Sequence, residues 1–232
     1  MQKTYVWTED SGAGFTFWKE MFAQLFPEAV VETKKNNSEL VKAVSKLNDD
    51  SNRYIILMDQ AVDNPQVVRE KKRLSTLING KKNIICIKLI SFEFLLLQFD
   101  SLVDWVFAKD DALLEKRQNL IDVRSTLLEI LDGKESVGFL MNDSMREYLV
   151  GMKNYNIEQI CARLLFDITR NTGFEVSKSS IGPCWILACC DWDDRASDDI
   201  CGLDEYRLSA YDKMNSIFTK TPTLYEELKL LT

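Results

Sequence analysis

Histidine is absent from all 232 residues. That excludes a Ser-His-Asp triad, a Cys-His pair, an HExxH zinc site and any histidine general base. Catalysis in this chain has to use carboxylates, Lys, Tyr, Cys or a metal. Basic charge is also scarce: 29 Lys and Arg stand against 36 Asp and Glu, a net charge of −7. A protein that coats long stretches of duplex is usually basic, whereas an enzyme working through a local basic strip is compatible with this balance. No apolar run reaches membrane length: the greasiest, residues 84–99, is short and carries Lys88 and Glu93. No basic start followed by an apolar core marks a secretory signal. The expected setting is therefore cytoplasmic, with no membrane partner and with reduced cysteines. Internal repeats and low-complexity segments are missing too. Gly12-Ala13-Gly14 opens a helix but lacks the third glycine of a dinucleotide fingerprint and the Lys-Ser/Thr of a P-loop, so it reads as a turn.

What is present is an alternation of strands and helices. Residues 46% hydrophobic and 28% charged describe a globular chain large enough for one domain or a domain with an appendage. Strands are expected at 4–8, 29–33, 54–58 and 83–90, with helices at 15–26, 39–47 and 67–78 between them. Asn36 and Glu39 have capping-box spacing before the second helix. Tyr54 to Met58 is apolar at every position, as suits a central parallel strand covered on both faces. This order predicts an α/β fold, a parallel β-sheet flanked by helices. Beyond about residue 91 the pattern turns helical. Helices are expected over 92–107, 110–132, 141–152, 157–169, 206–218 and 224–231. The division expected is an α/β module over 1–108 and a mostly helical region over 109–232, with a Cys/Asp-rich loop at 184–205.

Two strands end in acids. The first runs Thr4-Tyr5-Val6-Trp7-Thr8-Glu9-Asp10 and the third Arg53-Tyr54-Ile55-Ile56-Leu57-Met58-Asp59. Ligands of open α/β sheets bind outside the carboxyl ends of the strands, so neighbouring strands of this kind bring Glu9 and Asp59 to one rim. With Asp63 four residues on, they are candidates for a Mg²⁺ site of hard oxygen ligands, able to activate water or stabilise charge on a phosphodiester. Glu93, in the apolar stretch Ile90-Ser91-Phe92-Glu93-Phe94-Leu95-Leu96-Leu97, is a fourth candidate, because a carboxylate there needs a partner, a metal or an exposed turn. The alternative reading is that each acid follows a strand because loops are polar.

Three other features offer chemistry. Lys71, Lys72 and Arg73, with Arg69, Lys81 and Lys82 nearby, make a basic run that either contacts a nucleic-acid backbone or forms a solvated helix face. Cys184, Cys189, Cys190 and Cys201 offer four thiols for structural Zn²⁺, at a spacing unlike paired CxxC motifs. The competing reading packs 184–190 as one buried strand. The following acids, Asp191 to Asp199, are read as a solvated loop, with cation binding, a basic partner surface or nucleic-acid mimicry as the alternatives.

The order of motifs resembles the toprim fold, in the version found in bacterial defence and overcoming-lysogenization-type nucleases. There the first strand ends in an apolar-Glu-Gly-x-x-Asp pattern and the third in Asp-x-Asp, and some members carry apolar-Glu-x-x-Leu-Leu after the fourth. Here Trp7-Thr8-Glu9-Asp10-Ser11, Asp59-Gln60-Ala61 and Ser91-Phe92-Glu93 through Leu96 stand at those places. The resemblance covers about residues 3–100. It implies a Mg²⁺-dependent nuclease-like, phosphodiester-processing protein of a defence or mobile-element system. Glu9 would be the general acid/base, Asp59 and Asp63 would hold the metal, and Glu93 would assist. Nucleic acid or a protein would be the partner. Two departures bear on this. Asp10 replaces the glycine, and Ala61 stands where the second Asp of the pair belongs, with Asp63 the nearest substitute at a different spacing. A protein that keeps the fold, has lost the chemistry and acts by interaction or regulation is the alternative.

Overall fold

A computed structural model describes residues 2–107, 110–131, 143–152, 154–190, 203 and 207–229. Four parallel strands, β1 (Thr4–Thr8), β2 (Ala29–Thr33), β3 (Arg53–Asp59) and β4 (Ile84–Leu89), form one sheet in the order β2-β1-β3-β4. The expected α/β architecture, with helices on the sheet and a helical C-terminal part, is the one observed. The first three helices, α1 (Gly12–Leu25), α2 (Asn37–Ser45) and α3 (Pro65–Ile78), are the crossovers that return the chain for each parallel strand. Then follow α4 (Phe92–Gln98), α5 (Leu102–Phe107), α6 (Asp111–Leu131), α7 (Asp143–Val150), α8 (Ile157–Thr169), α9 (Pro183–Ile186), α10 (Ala210–Thr219) and α11 (Pro222–Leu228).

Strand alternation sorts the apolar residues into two cores. Successive side chains point to opposite faces. Val6, Ile55, Leu57, Ile87 and Leu89 join a large core with α1, α4, α8 and α10. Trp7, Tyr54, Ile56, Met58 and Ile84 join a smaller one with α2 and α3. Every residue of β3 from Tyr54 to Asp59 is buried, as its uninterrupted apolar run requires. The large core crosses residue 108: Phe22, Leu95 and Leu96 on one side share it with Cys161, Leu164, Ile217 and Leu224 on the other.

Two expectations change. The single helix over 92–107 is two, because the chain turns at Phe99, whose ψ is 115°. Arg124 makes this turn tolerable: its guanidinium donates to Leu97 O at 2.6 Å and Phe99 O at 3.0 Å, satisfying carbonyls left free at a helix end. The buried strand expected over 184–190 is instead the short helix α9 followed by extended chain, with Leu187 and Cys190 exposed. Pro183 opens that helical turn, and the buried Trp185 anchors it through Nε1 to Phe174 O at 2.6 Å. The acidic stretch 191–199 and Cys201 lie outside the described residues.

Candidate active site

The first carboxylates arrive with the end of β1. Thr8 is buried, and its hydroxyl donates to Asp10 Oδ2 at 2.9 Å while accepting from Asp10 N at 3.0 Å. Trp18 of α1 donates its indole N–H to the same Oδ2 at 2.7 Å. Asp10 is thereby turned inward beneath α1. Gly14 leaves it the room, since a Cβ there would lie 2.6 Å from Asp10 Oδ1. Glu9 points across to β3: its Oε1 accepts from Asp59 N at 3.0 Å. Because β1 and β3 pair in register through Thr8 and Leu57, the acids that follow them meet at one rim, as the strand ends predict. Asn37, first residue of α2, flanks Glu9 and favours its charged form.

Two more carboxylates close on this pair from helices. Glu93 lies in the first turn of α4, which Ser91 caps by accepting from Phe94 N at 3.1 Å. Glu158 lies in the first turn of α8, behind the capping box of Asn156 and Gln159. Reading the sequence missed Glu158. Apolar spacing places the helix over 157–169, but no local signal says which sheet edge its start docks against.

Burial raises all five acids above the usual carboxylate range, and repulsion from neighbouring acids adds to it at Glu9, Asp59, Glu93 and Glu158. Burial, then Asp10, pushes Glu9 up to about 8; the Asp59 amide and Asn37 pull it partly back. Burial raises Glu93 to about 7. Asp59 is held well above the usual carboxylate range by burial, then by Asp10, Glu9, Glu93 and Glu158. Asp10 is raised by burial against its bonds to Trp18 and Thr8. Glu158 is raised by burial, Asp10 and Asp63, with Lys178 opposing. The thiol of Cys161, one turn after Glu158 and fully buried, is raised by burial and by Glu93, Asp59, Glu158 and Asp63. Among the described residues no lysine or arginine pairs with any of the five acids within salt-bridge distance.

Asp63, expected as a metal ligand, lies at the edge of this group, near Glu158. It is exposed, and its Oδ2 accepts from Ile157 N at 2.7 Å, so it tethers the loop after β3 to the start of α8. Ala61, at the second acid position of the strand-end pair, is buried. Gln60 between them donates from Nε2 to Ile87 O at 3.3 Å. Lys71, Lys72 and Arg73 lie two turns into α3, which starts at the rim and runs away from it, about 11 Å along the axis. Arg73 leans on Glu70 at 3.8 Å, on an exposed face. Cys189 and Cys190 are free thiols, and Cys184 O accepts from the buried Lys213 Nζ at 3.0 Å.

Among the described residues no three Cys, Asp or Glu side chains form a ready metal cage. Mg²⁺ is commonly held by one or two carboxylates, with waters and substrate oxygens completing the shell. The donor set at this rim, hard oxygens with no cation of their own, fits that mode and not a closed protein cage. No helix among the described residues is long and apolar enough to cross a membrane. No family model, curated protein or solved structure matches the chain.

Proposed function

We propose that the rim formed by Glu9, Asp59 and Glu93 is the site of a divalent-metal-dependent, nuclease-like phosphodiester-processing protein with a toprim-like sheet, working in the cytoplasm. The observation that carries this is the meeting of Glu9 and Asp59 within a group of five half-buried or buried acids, none of them in a salt bridge among the described residues. So much like charge in so little water is tolerable only if protons or a cation neutralise it. Asp59, supported by Glu9 through its backbone amide, would hold Mg²⁺, which when bound would supply a Lewis acid for phosphoryl oxygens. Glu9 carries the mobile proton. Its Oε1 is engaged by the Asp59 amide, so the proton belongs on Oε2, available to a departing oxygen near neutral pH. Glu93, raised to about 7, is the second group able to exchange a proton there.

Calorimetric titration of Mg²⁺ or Mn²⁺ into wild type, Glu9→Gln and Asp59→Asn tests this. Wild type should bind, and each variant should lose about tenfold or more in affinity, as removal of a metal-ligating carboxylate or its support does. Equally negligible heats in all three would remove the metal-enzyme reading. Ala61 favours a second reading, a catalytically inactive interaction or regulatory protein of a bacterial defence or mobile-element system, because it leaves the strand-end pair one carboxylate short. Metal binding with no phosphodiester cleavage would select it.

A further inference from the structure

A cleft of about 500 Å³ lies beside the acid rim, lined by Glu158, Arg163 and Phe166 of α8, by Glu93 of α4 and by Lys178. That volume is typical of sites that enclose a single small ligand. It has room for roughly one or two nucleotides, far less than the bulk of a duplex. The two cations differ. Arg163 is held by Asp167 at 2.8 Å, whereas Lys178 makes no ion pair among the described residues and is exposed.

Lys178 is also firmly carried. It sits in the turn 177–180, closed by Ser177 N donating to Ser180 O at 2.9 Å and flanked by the Val176–Ile181 bridge. That turn presses on the start of α1, where a Cβ at Gly12 would lie 2.4 Å from Lys178 O. The lysine is thus fixed to the same turn that presents Glu9 and Asp10. Opposite it, the half-buried Phe166 ring lies 5.8 Å from the Arg163 guanidinium carbon. Aromatic faces and guanidinium planes are the surfaces on which unpaired bases stack.

We infer that this cleft binds a single-stranded nucleic-acid segment, with one backbone phosphate on Lys178 and one base on Phe166, and so sets the adjoining phosphodiester at the acid rim. The inference rests on the proposed function and names its substrate class. The overall charge of −7 agrees with it, since a duplex-binding surface would need a broad basic face.

Fluorescence anisotropy with a short labelled oligothymidine and a hairpin duplex, in Mg²⁺ at low salt, tests it. Wild type should bind the single strand about tenfold or more tighter than the duplex. Lys178→Glu should weaken it about tenfold and flatten the salt dependence by about one phosphate contact. Phe166→Leu, which keeps an apolar side chain on α8, should weaken it about fivefold or more with the salt slope unchanged. Equal binding of duplex and single strand overturns the inference, as does a folded Lys178→Glu protein that binds like wild type. The oligothymidine is then assayed for cleavage with Mg²⁺ and Mn²⁺. Binding in the expected pattern without cleavage overturns the proposed chemistry and leaves the cleft assignment standing. Absence of binding overturns the cleft assignment alone when metal titration still gives heat.

Discussion

Burial and Asp10 raise Glu9 to about 8, and burial raises Glu93 to about 7. Both values exceed those of the unfolded chain, so between about pH 4.5 and 8 the folded state binds more protons than the unfolded one. Stability must then fall as pH rises through that window. In chelator, the Tm should be highest near pH 5 and several degrees lower at pH 8, at about 2–4 °C per kcal/mol for a chain of this size. Glu9→Gln should leave the Tm at pH 5 nearly unchanged and raise it at pH 8, flattening the profile. A wild-type Tm that climbs from pH 5 to 8 in chelator would contradict the clustered geometry. Glycine matters at one residue of the same turn. Gly12 has φ +59°, in the left-handed region, and faces Lys178 O at close range. Gly12→Ala should therefore destabilise by about 2 kcal/mol, from left-handed strain plus displacement of the 177–180 turn. Chemical denaturation of the variant measures it directly.

At the scale of elements, the strands and the capped helices were legible, and the tertiary uses of single residues were not. β2 over 29–33 and α8 over 157–169 fall where apolar periodicity places them. Their signals are local: turn residues at both ends and one apolar face. Residues 184–190 misled because a run of apolar and thiol side chains has no period of its own, and Pro183 with a distant carbonyl from Phe174 decides the matter. Asp63 shows the same kind of distant determinant: it accepts from Ile157 N, 94 residues away, a contact that no local signal announces. The difference can be measured. If Asp63 holds the end of α8, Asp63→Ala should cost about 1 kcal/mol, as loss of a cap does, while the metal-binding heat stays at the wild-type value. Loss of metal binding with stability intact would make it a ligand after all.

At the scale of the molecule, the α/β half and the helical half are joined by packing. The rim needs both. Glu9, Asp10, Asp59 and Glu93 come from the first hundred residues, but Glu158 and Lys178 come from beyond them. The apolar faces of α1 and α4 are covered by α8, α10 and α11. Phe22, Leu95, Leu96 and Phe99 are completely buried or nearly so, in a core that residues 161–228 complete. Cutting the chain at 108 would return those side chains to water, at about 1.5–3 kcal/mol for each fully buried one. A handful of such residues equals the whole stability of an ordinary domain, roughly 5–15 kcal/mol. The fragment 1–108 should therefore show no cooperative thermal transition and should bind an apolar dye such as ANS, although it contains the complete sheet. Adding the separately produced fragment 109–232 should restore a cooperative transition, because what the sheet lacks is a cover for one face. A fragment 1–108 that melts cooperatively on its own, with its strands intact by circular dichroism, would show that the four-stranded sheet and its first helices are an independent unit. The acids contributed by α8 would then belong to a separate layer docked upon it.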